Sequence, residues 1–194
     1  MSIKGLAICL SSSILIFGIG GAAHADNGDR ERGGEHKRYE PKHHEGELVR
    51  VVRESTRRFK DINRAKAEGY QLLFGCVSGP DDGAMGLHYV NMELVGDGVL
   101  DPRRPEIIIY EPLPNGGRRL IGADFLVFSD AWHASNAGTP ELEGQLLHLF
   151  ESPNRFGLPA FYTLHVWAWK PNPTGAFVNW HSDVSCEQFD GQEH

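Results

Sequence analysis

Sequence motifs that announce a function are what this chain most lacks. It has no His-Glu-x-x-His, no paired Cys-x-x-Cys and no close His-x-His, so no local zinc motif is present. A Gly-x-Ser-x-Gly elbow is missing, which removes a lipase-like serine nucleophile. The only glycine-rich run, Gly18 to Gly21, lies near the N-terminus and cannot serve as a phosphate loop of the folded chain. Asp81, Asp82, Asp97 and Asp101 offer oxygen ligands without the alternating spacing of an EF-hand loop. Glu106 and Glu111, five apart in a strand, point to opposite faces and make a poor paired-carboxylate site. Positive charge is also in short supply. With 19 Lys and Arg against 26 Asp and Glu, the net charge is −7, which argues against nucleic acid as a partner. Cysteine is rare, at three in 194 residues. There is no internal repeat.

What is present begins with an apolar run, Leu6 to Ala23, preceded by the single charge Lys4 and followed by the small-x-small tripeptide Ala23-His24-Ala25. This pattern predicts a signal peptide over residues 1–25, cleaved before Asp26, and export to the periplasm or the medium with no stable membrane insertion afterwards. Loss of Lys4 takes the 19 basic residues to 18 against 26 acidic ones, a net charge of −8. Cleavage also removes Cys9 and leaves Cys76 and Cys186. In an oxidising compartment the simplest use of two such cysteines is one disulfide, and their wide separation disfavours a pair of metal ligands. Residues 26–47 hold seven acids, five Lys or Arg, three histidines (His36, His43, His44) and no aliphatic side chain. Such a segment reads as a disordered, charged tail.

The remaining residues, 48–194, read as one α+β domain. Leu48, Val51, Val52, Phe59, Ile62 and Ala65 recur at helical spacing, which predicts one long N-terminal helix ending at Gly69, its stripe interrupted at Ser55 and Thr56. Beyond it the composition, with 23 glycines and 11 prolines in the whole chain, favours short strands and turns. Strands are expected at 70–74, 86–91, 106–111, 120–128, 146–150 and 162–169, with a loop over 76–83, a hairpin turn at Asn115-Gly116-Gly117 and a closing segment at 177–186. The expected architecture is a curved antiparallel sheet or partly closed barrel against the helix.

The informative residues are polar ones inside otherwise apolar strands. Alternate strand residues share a face. His165 therefore lies with Thr163, Trp167 and Trp169, opposite Leu164, Val166 and Ala168. His88 lies with Val90, His148 with Leu146 and Phe150, and Asp124 with Leu126 and Phe128. Burying such groups among Leu, Phe and Trp is costly unless they are paired or bound to metal. If the sheet curls, these imidazoles and the carboxylate converge into a ligand set for zinc, copper or iron. His88 and His165 are the principal candidates, with His148 and Asp124 as weaker members. Trp167, Trp169 and Asn91 would line the ligand pocket. If the ion works catalytically, Glu106 or Tyr110 would move protons. His133 and His181 fall in loops and are expected to be exposed.

The ordered set Cys76-Val-Ser-Gly-Pro, Gly83-Ala-Met-Gly-Leu-His-Tyr-Val-Asn91, Arg104-Pro-Glu-Ile-Ile-Ile-Tyr-Glu-Pro112 and Leu164-His-Val-Trp-Ala-Trp169 resembles an uncharacterised family of exported bacterial proteins. The resemblance spans roughly residues 65–186 and implies no particular activity. That family favours Glu at the position of Asp124 and Asn-Pro at His181-Ser182. The sequence thus points to an exported monomer that binds a metal ion or small ligand in a pocket of the rolled sheet. The rival expectations are an envelope protein that takes an apolar or aromatic ligand through Phe161, Trp167 and Trp169, and a structural module recognised through its charged tail.

Overall fold

The computed structural model describes residues 46–79 and 81–191, all within the unit Pro41–His194. The expected signal peptide and residues 26–45 of the expected tail lie outside the described residues. Gly46 is the N-cap of the first helix and Glu47 its first residue.

The stretch expected to form one long helix is divided. Helix α1 spans Glu47–Thr56, a 3-10 turn follows at Arg57–Lys60, and α2 spans Ile62–Ala67. The polar pair that interrupts the apolar stripe accounts for the first break. The Thr56 hydroxyl donates to Val52 O at 2.6 Å and accepts from the Trp169 indole at 3.0 Å. Ser55 also bonds back to Val52 O. Such bonds compete with the regular helix ladder. Asp61 then starts the second helix as its cap, its carboxylate accepting from Asn63 N.

Eight strands follow: β1 Gln71–Ser78, β2 Ala84–Val90, β3 Ile107–Pro112, β4 Arg118–Phe128, β5 Glu141–Leu142, β6 Gln145–Leu146, β7 His148–Phe150 and β8 Phe161–Val166. Two short helices intervene, α3 Met92–Asp97 and α4 Ser129–His133. Six strands form one antiparallel sheet in the order β1-β2-β3-β4-β8-β7, which curls into a half-barrel, and β5 pairs only with β6. The expected α+β class and curved antiparallel sheet are therefore found; the long helix is not. The expected loop at 76–83 is shorter, because β1 continues through Ser78. The closing segment at 177–186 forms no strand and makes one isolated β-bridge to the sheet, Ala84 to His181. Helix α3 was not anticipated. Its signals are Asn91, whose side chain accepts from Glu93 N and Leu94 N, and Gly98, which ends it in the left-handed region.

The register fixes two faces. Tyr89 pairs with Ile108, and Phe125 with Leu164, on the face that packs under the helices. There the Tyr110 hydroxyl donates to Phe59 O at 2.7 Å. His88 pairs with Ile109, Ile107 with Asp124, and Asp124 with His165, on the other face. Register irregularities in β1 and at Ile109/Tyr110 bend the sheet. Gly86 lies beside the second bend at φ 94°, where a Cβ would stand 2.7 Å from Tyr110 O.

Cys76 on β1 and Cys186 in the C-terminal segment form a disulfide with Cα atoms 5.7 Å apart and a sequence separation of 110. Closing a loop of that length stabilises the fold by about 4–5 kcal/mol in the chain-entropy account. The Cys76→Ser/Cys186→Ser double variant should lose stability of that order in urea denaturation under oxidising conditions. Equal midpoints for the two proteins would remove the clasp from the stability of the domain.

Candidate metal centre

Strands β2, β4 and β8 bring His88, Asp124 and His165 to one point on the face away from the helices. All three are buried, at 3–4% exposure. One ligand atom from each lies within 4.8 Å of the other two. The imidazole Nε2 atoms of His88 and His165 stand 3.3 Å apart. His165 Nδ1 lies 3.6 Å from Asp124 Oδ2.

The surroundings fix much of the protonation. His88 Nδ1 is 3.0 Å from Gly86 O. A carbonyl only accepts, so this nitrogen carries the proton and Nε2 presents its lone pair to His165. Asp124 Oδ1 accepts from the Thr163 hydroxyl at 2.6 Å and from Leu164 N at 3.1 Å. Oδ2 is left to face His165. His165 Nδ1 is buried without a hydrogen-bond partner among the described residues. Burial holds both imidazoles well below the usual histidine range, with each ring also feeling a neighbouring histidine. The same burial pushes the Asp124 carboxyl upward, against the pull of its hydrogen bond from Thr163.

With Asp124 ionised, two neutral imidazoles in this arrangement leave a conflict. If His165 carries its proton on Nε2, it donates to His88 and turns the Nδ1 lone pair toward the carboxylate. If it carries the proton on Nδ1, it faces the carboxylate favourably, and two Nε2 lone pairs then confront each other at 3.3 Å. A cation between them resolves the second state. Two nitrogens bound to a tetrahedral zinc at about 2.0–2.1 Å are themselves about 3.3 Å apart. A protonated His88 Nδ1 held by a carbonyl is the usual outer-shell support of a metal-binding histidine.

A cavity of about 20 Å³ opens beside the three groups. It is the size of one water molecule or a small ion with its ligand. Phe74, Met85, Phe150, Phe156, Leu158 and Phe161 supply most of its wall. Chemically the arrangement can hold one ion and present it to a small, apolar space, as a Lewis acid or a redox centre.

The other expected site residues fall elsewhere. His148 is exposed on the edge strand β7 and lines a separate outer groove with Asp81, Asp82 and Trp180. Glu106 is buried but accepts from Leu126 N at 3.1 Å, closing the end of the β3–β4 ladder. Tyr110 is committed to Phe59 O and does not line the cavity. Asn91 caps α3 and donates to Glu68 O. Trp167 is buried, its ring centroid 6.0 Å from that of His165, and its indole donates to Val178 O. Trp169 lies against α1 with Lys60 over its ring, so the two tryptophans share no pocket. Phe161 does line the cavity.

His181 corrects the sequence reading, which places it in solvent. It is fully buried, its Nε2 3.1 Å from Pro171 O, its Nδ1 accepting from Asp183 N, and its ring edge-on to Trp167 at 4.9 Å. His133 is exposed as expected, with Nε2 3.0 Å from the Tyr162 hydroxyl. Thr163 and Gly86, which hold Asp124 and His88 in place, were not anticipated as site residues. Thr163 sits at alternate spacing from His165, the one sequence signal that could have singled it out.

Comparison with protein-family models, with curated proteins and with solved structures gives no match.

The Glu106 carboxyl is pushed up to about 8, chiefly by burial, from an ordinary 4.5. The unfolded chain therefore releases this proton at lower pH than the folded one. The contribution of Glu106 to stability is intact below pH 4.5 and is lost as pH rises toward 8. Glu106→Gln removes the titration and keeps an acceptor for Leu126 N. The variant should gain stability relative to wild type between these pH values, with a slope of at most about 1.4 kcal/mol per pH unit. Parallel stability curves across pH 5–8 would contradict this assignment.

Proposed function

We propose that this is an exported protein that binds one transition-metal ion, zinc, copper or iron, at the site formed by His88, His165 and Asp124, with the ion between the two imidazole Nε2 atoms and the carboxylate beside them. The observation that carries the reading is the pair of imidazole Nε2 atoms held 3.3 Å apart in a buried site, one of them with its tautomer fixed by a backbone carbonyl. Two imidazoles and a carboxylate suit these ions better than calcium or magnesium, which prefer all-oxygen shells. The disulfide and the N-terminal pattern both support export. The resemblance to exported bacterial proteins points the same way. Thr163 acts from outside the ligand set, by fixing the carboxylate through its hydroxyl.

The test is metal analysis of the untagged full chain after dialysis against zinc and then against metal-free buffer. About one ion per chain should remain, and His88→Ala should lose it. Thr163→Val should weaken affinity by about 10–100-fold with the fold intact by circular dichroism. Replacing His36, His43 and His44 together should leave the tightly held ion in place. Retention of zinc by His88→Ala and its loss on removing the tail histidines would move the binding out of the sheet and refute the reading.

A further inference from the structure

We infer that the open coordination position of the ion takes a small monoanion and excludes ring-bearing organic ligands, an inference that rests on the metal reading above. Charge supports the first half. Two neutral imidazoles and one carboxylate leave a divalent ion with a net charge of +1. Its surroundings are aromatic and aliphatic, and an unbalanced charge in such surroundings is costly. No second acid among the described residues lines the cavity. Glu106 is occupied with Leu126 N, and Glu111 is held by Lys170 and Arg119. The missing negative charge must come with the ligand.

Space supports the second half. The cavity beside the three groups measures about 20 Å³. By the same measure one water needs about 10–15 Å³, so a ligand little larger than one water fits and a ring does not. The wall cannot orient a larger polar molecule either. Its hydroxyl, on Thr163, is already given to Asp124. Phe150 stacks on Phe161 with centroids 5.3 Å apart, and Phe156 meets Phe161 edge-on, which closes the apolar side. The class of ligand is therefore hydroxide, a pseudohalide or a reduced-oxygen anion of similar size, selected by the ion's charge and by the narrow space.

The test loads the full chain with cobalt(II) and follows its visible bands during titration with azide and, separately, with benzoate. Azide should shift the bands saturably, and at a concentration about tenfold or more below any effect of benzoate. Phe156→Ala, in a half-buried loop, should admit benzoate and narrow that gap while leaving the azide response in place. Equal responses to azide and benzoate in the wild type would overturn the inference, and so would an unchanged spectrum with azide on a cobalt-loaded chain. In both cases the metal reading stands. Failure to retain cobalt at a site that depends on His88 removes the metal reading itself, and the inference with it.

Discussion

The carbonyl of Gly86 decides the chemistry of the site. By accepting from His88 Nδ1 it assigns the proton to that atom and turns the Nε2 lone pair inward. The sheet then presses a second imidazole to within 3.3 Å of that lone pair, with a carboxylate behind it. A buried site satisfies its polar groups or is destabilised by them. Here the protein satisfies Asp124 with Thr163 and Leu164 and leaves His165 Nδ1 without a partner. With Asp124 ionised and facing His165 Nδ1–H, the two Nε2 lone pairs mark where a cation could be held.

That geometry depends on the sheet in two ways. Register places His88, Asp124 and His165 on one face while Tyr89, Phe125 and Leu164 pack under the helices on the other. A slip of one residue in β4 would send Asp124 into the helix-facing core and Phe125 into the site. Curl is the second requirement, since His88 and His165 belong to strands separated by both β3 and β4. The bulge at Ile109/Tyr110 and the glycine beside it supply the bend where a side chain would strike Tyr110 O. The disulfide ties the edge strand β1 to the C-terminal segment, so the half-barrel is braced where it does not close.

Periodicity made much of this legible. Strict alternation in Tyr162–Val166 identifies the faces of β8 and sets His165 apart from the aliphatic face, while Asp124 stands out as the one charged residue in the apolar run Leu120–Phe128. The polar ring of His88 between Leu87 and Tyr89 marks it in the same way. What periodicity cannot carry is distance between strands. His148 obeys the same rule as His165 and pairs with Thr163, yet it lies on the edge strand and is exposed. His181 follows no periodic pattern and is buried because the C-terminal segment folds back over Trp167. The long helix failed for a local reason: Thr56 bonds to Val52 O and to Trp169, a partner more than one hundred residues away. Asn91 and Glu106 looked functional because they are polar among apolar neighbours, and each instead satisfies backbone groups at the end of an element.

The central claim is that the two facing imidazoles share a cation. X-ray absorption spectroscopy at the metal edge of the zinc-loaded full chain tests it most directly. The account predicts two imidazole ligands at about 2.0–2.1 Å with at least one oxygen in the first shell, and loss of the imidazole scattering in His165→Ala. A shell of oxygen alone, or an imidazole signal that persists without His165, would contradict it.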